Sequence, residues 1–112
     1  MKKFRAWDQF NEGFHYSHNY TNLSSFFLEI EKLEEAGNAI TLEVYTDLED
    51  NKGVDIYSGD IVKEKWFGRD EIEAVEYIAP GFDPFMYNGG GEMSAESCEV
   101  IGNIHQNPEL LK

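Results

Sequence analysis

Apolar and polar residues alternate with a period of two along most of this chain, and a single stretch follows the helical period instead. Phe4 and Ala6 share one face of an extended segment, while Arg5 and Trp7 share the other. Asn11-Glu12-Gly13 supplies turn chemistry ahead of a second extended segment, Gly13 to Ser17, so a hairpin is expected. Leu23, Phe26, Phe27, Ile30 and Leu33 then recur at spacings of three and four, which predicts a helix over about 22–36. Asn22 or Ser24 is its candidate N-cap, and Gly37 stands where a left-handed residue ends a helix. Glu29, Glu31, Glu34 and Glu35 crowd the second half of that helix against the sense of its dipole, so the last turn should fray or be pinned by packing.

Past the helix the period of two returns. Ile40, Leu42 and Val44 alternate with Thr41, Glu43 and Tyr45, and the alternation stops there. Asp50-Asn51-Lys52-Gly53 predicts a type I turn followed by glycine at positive φ, which reverses the chain into Val54 to Tyr57. Ser58-Gly59-Asp60 is a second tight turn, followed by a strand from Ile61 to Phe67. Glu71 to Ile78 should pair with that strand across Gly68-Arg69-Asp70 and end at Pro80-Gly81. Phe82, Phe85 and Tyr87 lead into Gly89-Gly90-Gly91, expected to be a flexible loop. A final strand is expected from Glu99 to His105, stopped by Asn107-Pro108, with Leu110 and Leu111 folding back onto the strands or a partner. With no internal repeat and no linker, residues 1–112 read as one mainly β domain with one helix.

Composition adds three constraints. A hydrophobic content of 41%, with 14% aromatic residues, supplies a packed core, which separates this chain from disordered chains of high net charge. The 22 acidic against 9 basic side chains give a formal charge of −13. That field repels phosphate backbones and anionic lipid over roughly a Debye length, ~8 Å at physiological salt. Direct binding to nucleic acid or to a membrane is therefore not expected, since Lys2, Lys3 and Arg5, or Lys63, Lys65 and Arg69, make no basic stripe. Cys98 stands alone, so no intramolecular disulfide forms and a reducing cytosol is expected. No stretch approaches the length of a membrane span, and Lys2 and Lys3 are not followed by an apolar run, so no export signal is read.

Three segments, taken together in order and spacing, carry a family resemblance: Lys3 to Asp8, Tyr45 to Val62, and Glu99 to Leu111. Together these segments, roughly a third of the chain, resemble the YopX family of phage and prophage proteins. The resemblance implies a β-rich fold with a small SH3-type barrel, additional strands and one helix, encoded by a temperate phage or its integrated remnant. It implies no activity, because the family has none assigned. Two positions depart from the family pattern: Asp47 replaces a usual glycine and His105 a usual aromatic residue. Aspartate tolerates left-handed backbone better than most residues, so the turn at Asp47 is expected to survive. Gly59, Asp60, Gly102, Asn103 and Pro108 read as architectural turn residues.

Candidate chemistry is sparse. A calcium loop starting at Asp47 would need glycine at its sixth position and glutamate at its twelfth, where Lys52 and Ser58 stand. His15 and His18 point to opposite faces of an extended segment, with no cysteine pair or third histidine near them, so no zinc site is read. Cys98 reads as a small apolar residue rather than a nucleophile, and the triglycine lacks the lysine and hydroxyl of a phosphate loop. No acid, base or nucleophile pairing follows from spacing, so the chain is not read as an enzyme and no catalytic, cofactor or metal residue is assigned. Aromatic residues are numerous: Trp7, Tyr16, Tyr20, Tyr57, Trp66, Phe82, Phe85 and Tyr87 fill a core or line a groove for a proline-rich peptide. Trp7, Tyr57 and Trp66 are the candidate partner-binding residues. The expected function is that of a phage or prophage accessory protein, a protein-interaction module that binds a host or phage protein, self-associates and acts in the host bacterial cytoplasm. The alternative is an acidic mimic of DNA that inhibits a host nucleic-acid enzyme.

Overall fold

The computed structural model describes residues 3–66, 68–78, 81–85 and 94–112, without the side chain of Trp66. The expectations for Phe67, the Pro80 turn, Tyr87 and the triglycine lie outside these residues. Contacts gather the chain into two units, Met1–Tyr45 and Thr46–Lys112.

In the first unit β1 (Phe4–Asp8) runs between β2 (Gly13–Tyr16) and β3 (Ile40–Glu49), antiparallel to both. The expected hairpin is present, with Arg5 opposite Tyr16 and Asp8 opposite Gly13. The one α-helix among the described residues, α1 (Leu23–Glu35), starts at Asn22, whose side chain accepts a 2.8 Å bond from Ser25 N. It stops before Gly37, at φ 98°, a conformation that costs glycine little. The apolar stripe works as its spacing predicts: Phe26 and Ile30 are buried with Ala6, and Phe4, Leu33 and Ile40 pack around them. Phe27, on the flank of the stripe, is 38% exposed and meets Phe4 edge-on at 5.4 Å. A fully buried side chain of the size of Phe26 contributes ~2–3 kcal/mol of apolar burial, which holds the helix on the sheet despite its unfavourable glutamates.

The opposite side of β1 is not solvent-facing. Arg5 is 5% exposed, bonds Glu43 at 2.7 Å and lies 4.2 Å from the centre of the Phe14 ring. The alternation in β3 therefore runs contrary to its apolar pattern: Glu43 is buried, whereas Leu42 is 46% exposed. The strand also outlasts its sequence pattern. It continues past Tyr45 to Glu49 through Asp47 at φ 68°. Glu43 and Thr46, three apart, are both buried, so the alternation is offset between them, ahead of Asp47.

The second unit is also built of strands. The end of β3 is followed by β4 (Asp55–Tyr57), and a three-stranded sheet has the order β6 (Arg69–Ala74), β5 (Asp60–Trp66), β9 (Cys98–Asn103). These strands curl round one core of Ile56, Val62, Val75, Phe85, Ala95 and Cys98, in the manner of a small barrel. The single strand expected from Glu71 to Ile78 is two strands. Val75 leaves the ladder to exchange backbone bonds with Gly59 and Asp60, 2.8 Å each. After it, β7 (Glu76–Ile78) pairs with β8 (Gly81–Asp83), so Gly81 begins a strand rather than only ending one. The last strand ends at Asn103, two residues before the expected His105. Pro108 opens a 3-10 turn over Pro108–Leu111, and that turn packs on β6. Mainly β with one helix is the architecture observed, as the strand patterns predict.

Candidate functional site

Two buried aspartates organise the loops. Asp8 ends β1 with no exposed surface. Its Oδ1 accepts from Phe10 N (3.0 Å) and Asn11 N (3.1 Å), while Oδ2 accepts from Asn11 Nδ2 (2.6 Å) and lies 3.2 Å from His15 Nε2. Asn38 Nδ2, from the loop after α1, reaches both oxygens at 3.3 Å. Burial alone pushes this carboxyl up, but the bonds from Asn11, His15 and Asn38 outweigh it and hold the pKa at about 2. Asp50 does the same in the second unit: Oδ1 accepts from Lys52 N and Val54 N, and Oδ2 from Val100 N at 2.9 Å. Against its burial, these amides hold its pKa below the usual carboxylate value.

The family-like turn residues serve geometry. Asp60 is buried and accepts from Tyr57 N at 2.8 Å. Asn103 Oδ1 accepts from His105 N and Gln106 N, which turns the chain out of β9. A Cβ at Gly102 would stand 2.5 Å from Asn107 Oδ1, so the close approach of that side chain requires glycine there. Cys98 is fully buried, and burial first, with the nearby carboxylates of Glu64 and Asp50, pushes its thiol up to about 11. A thiol so protonated is no nucleophile at neutral pH.

Two of the three candidate partner-binding residues are buried. Trp7 is 4% exposed, packed edge-on against Phe14 at 5.0 Å with its indole donating to Gln9 Oε1. Tyr57 is 3% exposed, and the side chain of Trp66 lies outside the described residues. Exposed apolar side chains are scattered over both units, Phe10 at 68% and Leu28 at 53% among them; two, Tyr77 at 58% and Ile78 at 38%, are consecutive in β7, where Glu76 is exposed as well. A weak alternation at Glu76-Tyr77-Ile78, between Val75 and Pro80, was the only sequence signal for them. Among the described residues no three His, Cys, Asp or Glu side chains are placed to hold a metal ion, and no helix is long and apolar enough to cross a membrane.

The first unit also contains a cleft of about 270 Å³ at the start of α1, lined by Lys3, Ser17, His18, Tyr20, Thr21 and Asn22 among others. Spacing alone gave no sign of it, because Lys3 and residues 17–22 are joined only by the strand pairing.

No curated protein matches the chain by sequence. Among solved structures it is similar to the crystal structure of protein EF1440 from Enterococcus faecalis, at 20% identity and a TM-score of 0.58, covering 100% of this chain and 99% of that one. At that identity the likeness speaks for the fold. The sequence model described as YopX protein matches residues 3–112, nearly the whole chain and well beyond the three segments first noted; this protein belongs to the YopX family.

Proposed function

We propose that the chain is a phage or prophage accessory protein that works as a protein-interaction module in the cytoplasm of the bacterial host and self-associates. The observation that carries this reading is the contrast between its buried polar groups and its exposed apolar ones. Asp8, Asp50, Asp60 and Asn103 are occupied in holding backbone amides, and the Cys98 thiol is buried. Tyr77 and Ile78 lie exposed in β7, which among the described residues pairs with β8. Two exposed apolar side chains beside Glu76, one on each face of a short strand, suit a protein partner with a basic margin, given the net charge of −13. The test is affinity capture from lysogenic cells combined with light scattering. The module reading expects a captured protein that a Tyr77→Ser, Ile78→Ser double variant of unchanged melting temperature no longer retains. A strictly monomeric mass with no enriched protein would count against it.

A second reading, an acidic mimic of DNA, is supported by the charge itself and by the exposed Glu31, Glu34 and Glu35 on one helix. It expects competition with duplex DNA for a host nuclease or polymerase. Unimpaired activity of such enzymes in the presence of the protein would dispose of it.

A further inference from the structure

We infer that the outer edge of β6 takes up an extended segment of another protein as an added strand, one in which basic and apolar side chains alternate. The inference deepens the interaction reading and rests on it, but it names a different surface from Tyr77 and Ile78. It starts from the direction of the backbone groups in the sheet β6-β5-β9. On β9, Asn51 N donates to Cys98 O at 2.9 Å, and Val100 N donates to an Asp50 carboxylate oxygen at 2.9 Å. Those groups point away from β5. Because backbone groups alternate along a strand, Glu99 between them points toward β5, opposite Lys63. Val62 and Glu64 therefore point the other way, toward Glu73 and Glu71 of β6. Val75 N, donating to Asp60 O at 2.8 Å, continues the same side. The N–H and C=O groups of Asp70, Ile72 and Ala74 are left facing outward.

The two rims of this sheet thus differ. The Asp50 turn closes the β9 rim, whereas among the described residues no backbone bond reaches Asp70, Ile72 or Ala74, and the Pro108–Leu111 turn packs on β6 without supplying one. Asp70 and Ile72 are exposed, so an incoming chain can reach this rim. Open backbone pairs with any extended segment, and the side chains choose which. β6 carries Asp70, Glu71 and Glu73 against one base, Arg69, which lies 3.2 Å from Glu71. Asp70 already stands opposite Lys65 of β5, while Glu71 and Glu73 stand opposite Glu64 and Val62. A second copy pairing antiparallel about Ile72 would set Glu71 against Glu73 at two places, and like charges directly opposite destabilise a ladder. The same acids favour lysine or arginine at alternate positions of the incoming strand, with apolar residues between them to meet Ile72 and Ala74 on the other face.

The experiment adds the peptide acetyl-(Lys-Val)₄-amide to the whole protein and follows chemical shifts and amide hydrogen exchange by NMR. In the protein alone the Asp70, Ile72 and Ala74 amides are expected to exchange fast. With the peptide the shifts should saturate and these three amides should slow by about tenfold or more, while those of Glu71 and Glu73, already in the ladder, change less. The matching (Glu-Val)₄ peptide should not saturate. Ile72→Pro removes one outward N–H and leaves the bonds to β5 in place, so it should weaken binding by about tenfold. The double variant Glu71→Gln, Glu73→Gln leaves the backbone untouched and should weaken it by about fivefold at unchanged melting temperature. Slow exchange of the three amides before any peptide is added, shifts that never saturate, or saturation without slowed exchange there would overturn the site. If a captured partner is lost by the Tyr77→Ser, Ile78→Ser variant but retained by both β6 variants, the interaction reading stands and this one falls.

Discussion

Asp8 is fully buried and nonetheless ionised, because the N–H groups of Phe10, Asn11 and Asn38, with the His15 ring 3.2 Å away, outweigh the cost of burial. Removing the carboxylate would strand backbone and side-chain donors from both the β1–β2 turn and the loop after α1. Asp8→Ala is therefore expected to cost about 3 kcal/mol, read as a shift in denaturant midpoint. The same residue sets an acid limit. Its folded pKa of about 2 lies below the ordinary value of 3.8, so the folded state binds the proton more weakly than the unfolded chain does. The stability it lends is complete above pH 3.8 and is lost as the pH falls through about 2. Asp50, shifted in the same direction, adds to that slope. Denaturation curves across this interval should show stability falling with acid, with a shallower slope in Asp8→Asn; equal slopes would mean that other carboxylates control the transition.

At the scale of elements, α1 combines a good start with a poor finish. Asn22 satisfies an amide of the first turn, but Glu34 and Glu35 stand exposed in the last turn, where the dipole is negative and Lys32 is the only basic residue. Glu35→Lys should raise stability by about 0.5 kcal/mol at low salt, and less as salt is added. No gain at low salt would mean that packing through Phe26 and Ile30 alone sets the helix end. This element was the most legible in the sequence, since five apolar residues at helical spacing leave one solution. The strands were legible in place but not in length. The alternation at Ile40 to Tyr45 could not reveal that Asp47 would take φ 68° and carry the strand on to Glu49. Nor could it show that Val75 would leave one ladder for Gly59 and Asp60, because that exchange depends on a contact distant in sequence.

At the scale of the molecule, Trp7 illustrates why function was less legible than fold. An alternating strand suggests one wet face, yet the Arg5–Glu43 pair and the Phe14 ring occupy the second face of β1, so Trp7 is buried there. Only the register, Arg5 opposite Glu43 on one side and Tyr16 on the other, brings those residues together. The net charge, by contrast, is fully visible in the sequence and has a consequence for the folded state as a whole. An excess of 13 negative charges repels itself more in the compact form than in the expanded chain. Raising sodium chloride from about 0.01 M to about 1 M shortens the Debye length from ~30 Å to ~3 Å. The buried Arg5–Glu43 pair is screened little by this change, whereas repulsion among surface carboxylates is almost removed. The melting temperature is therefore expected to rise with sodium chloride, by about 4 °C or more if the relief reaches about 1 kcal/mol. A melting temperature that falls with salt would show that exposed attractions such as Lys52–Glu99 and Arg69–Glu71 outweigh the repulsion, and that the acids are arranged around cations rather than against one another.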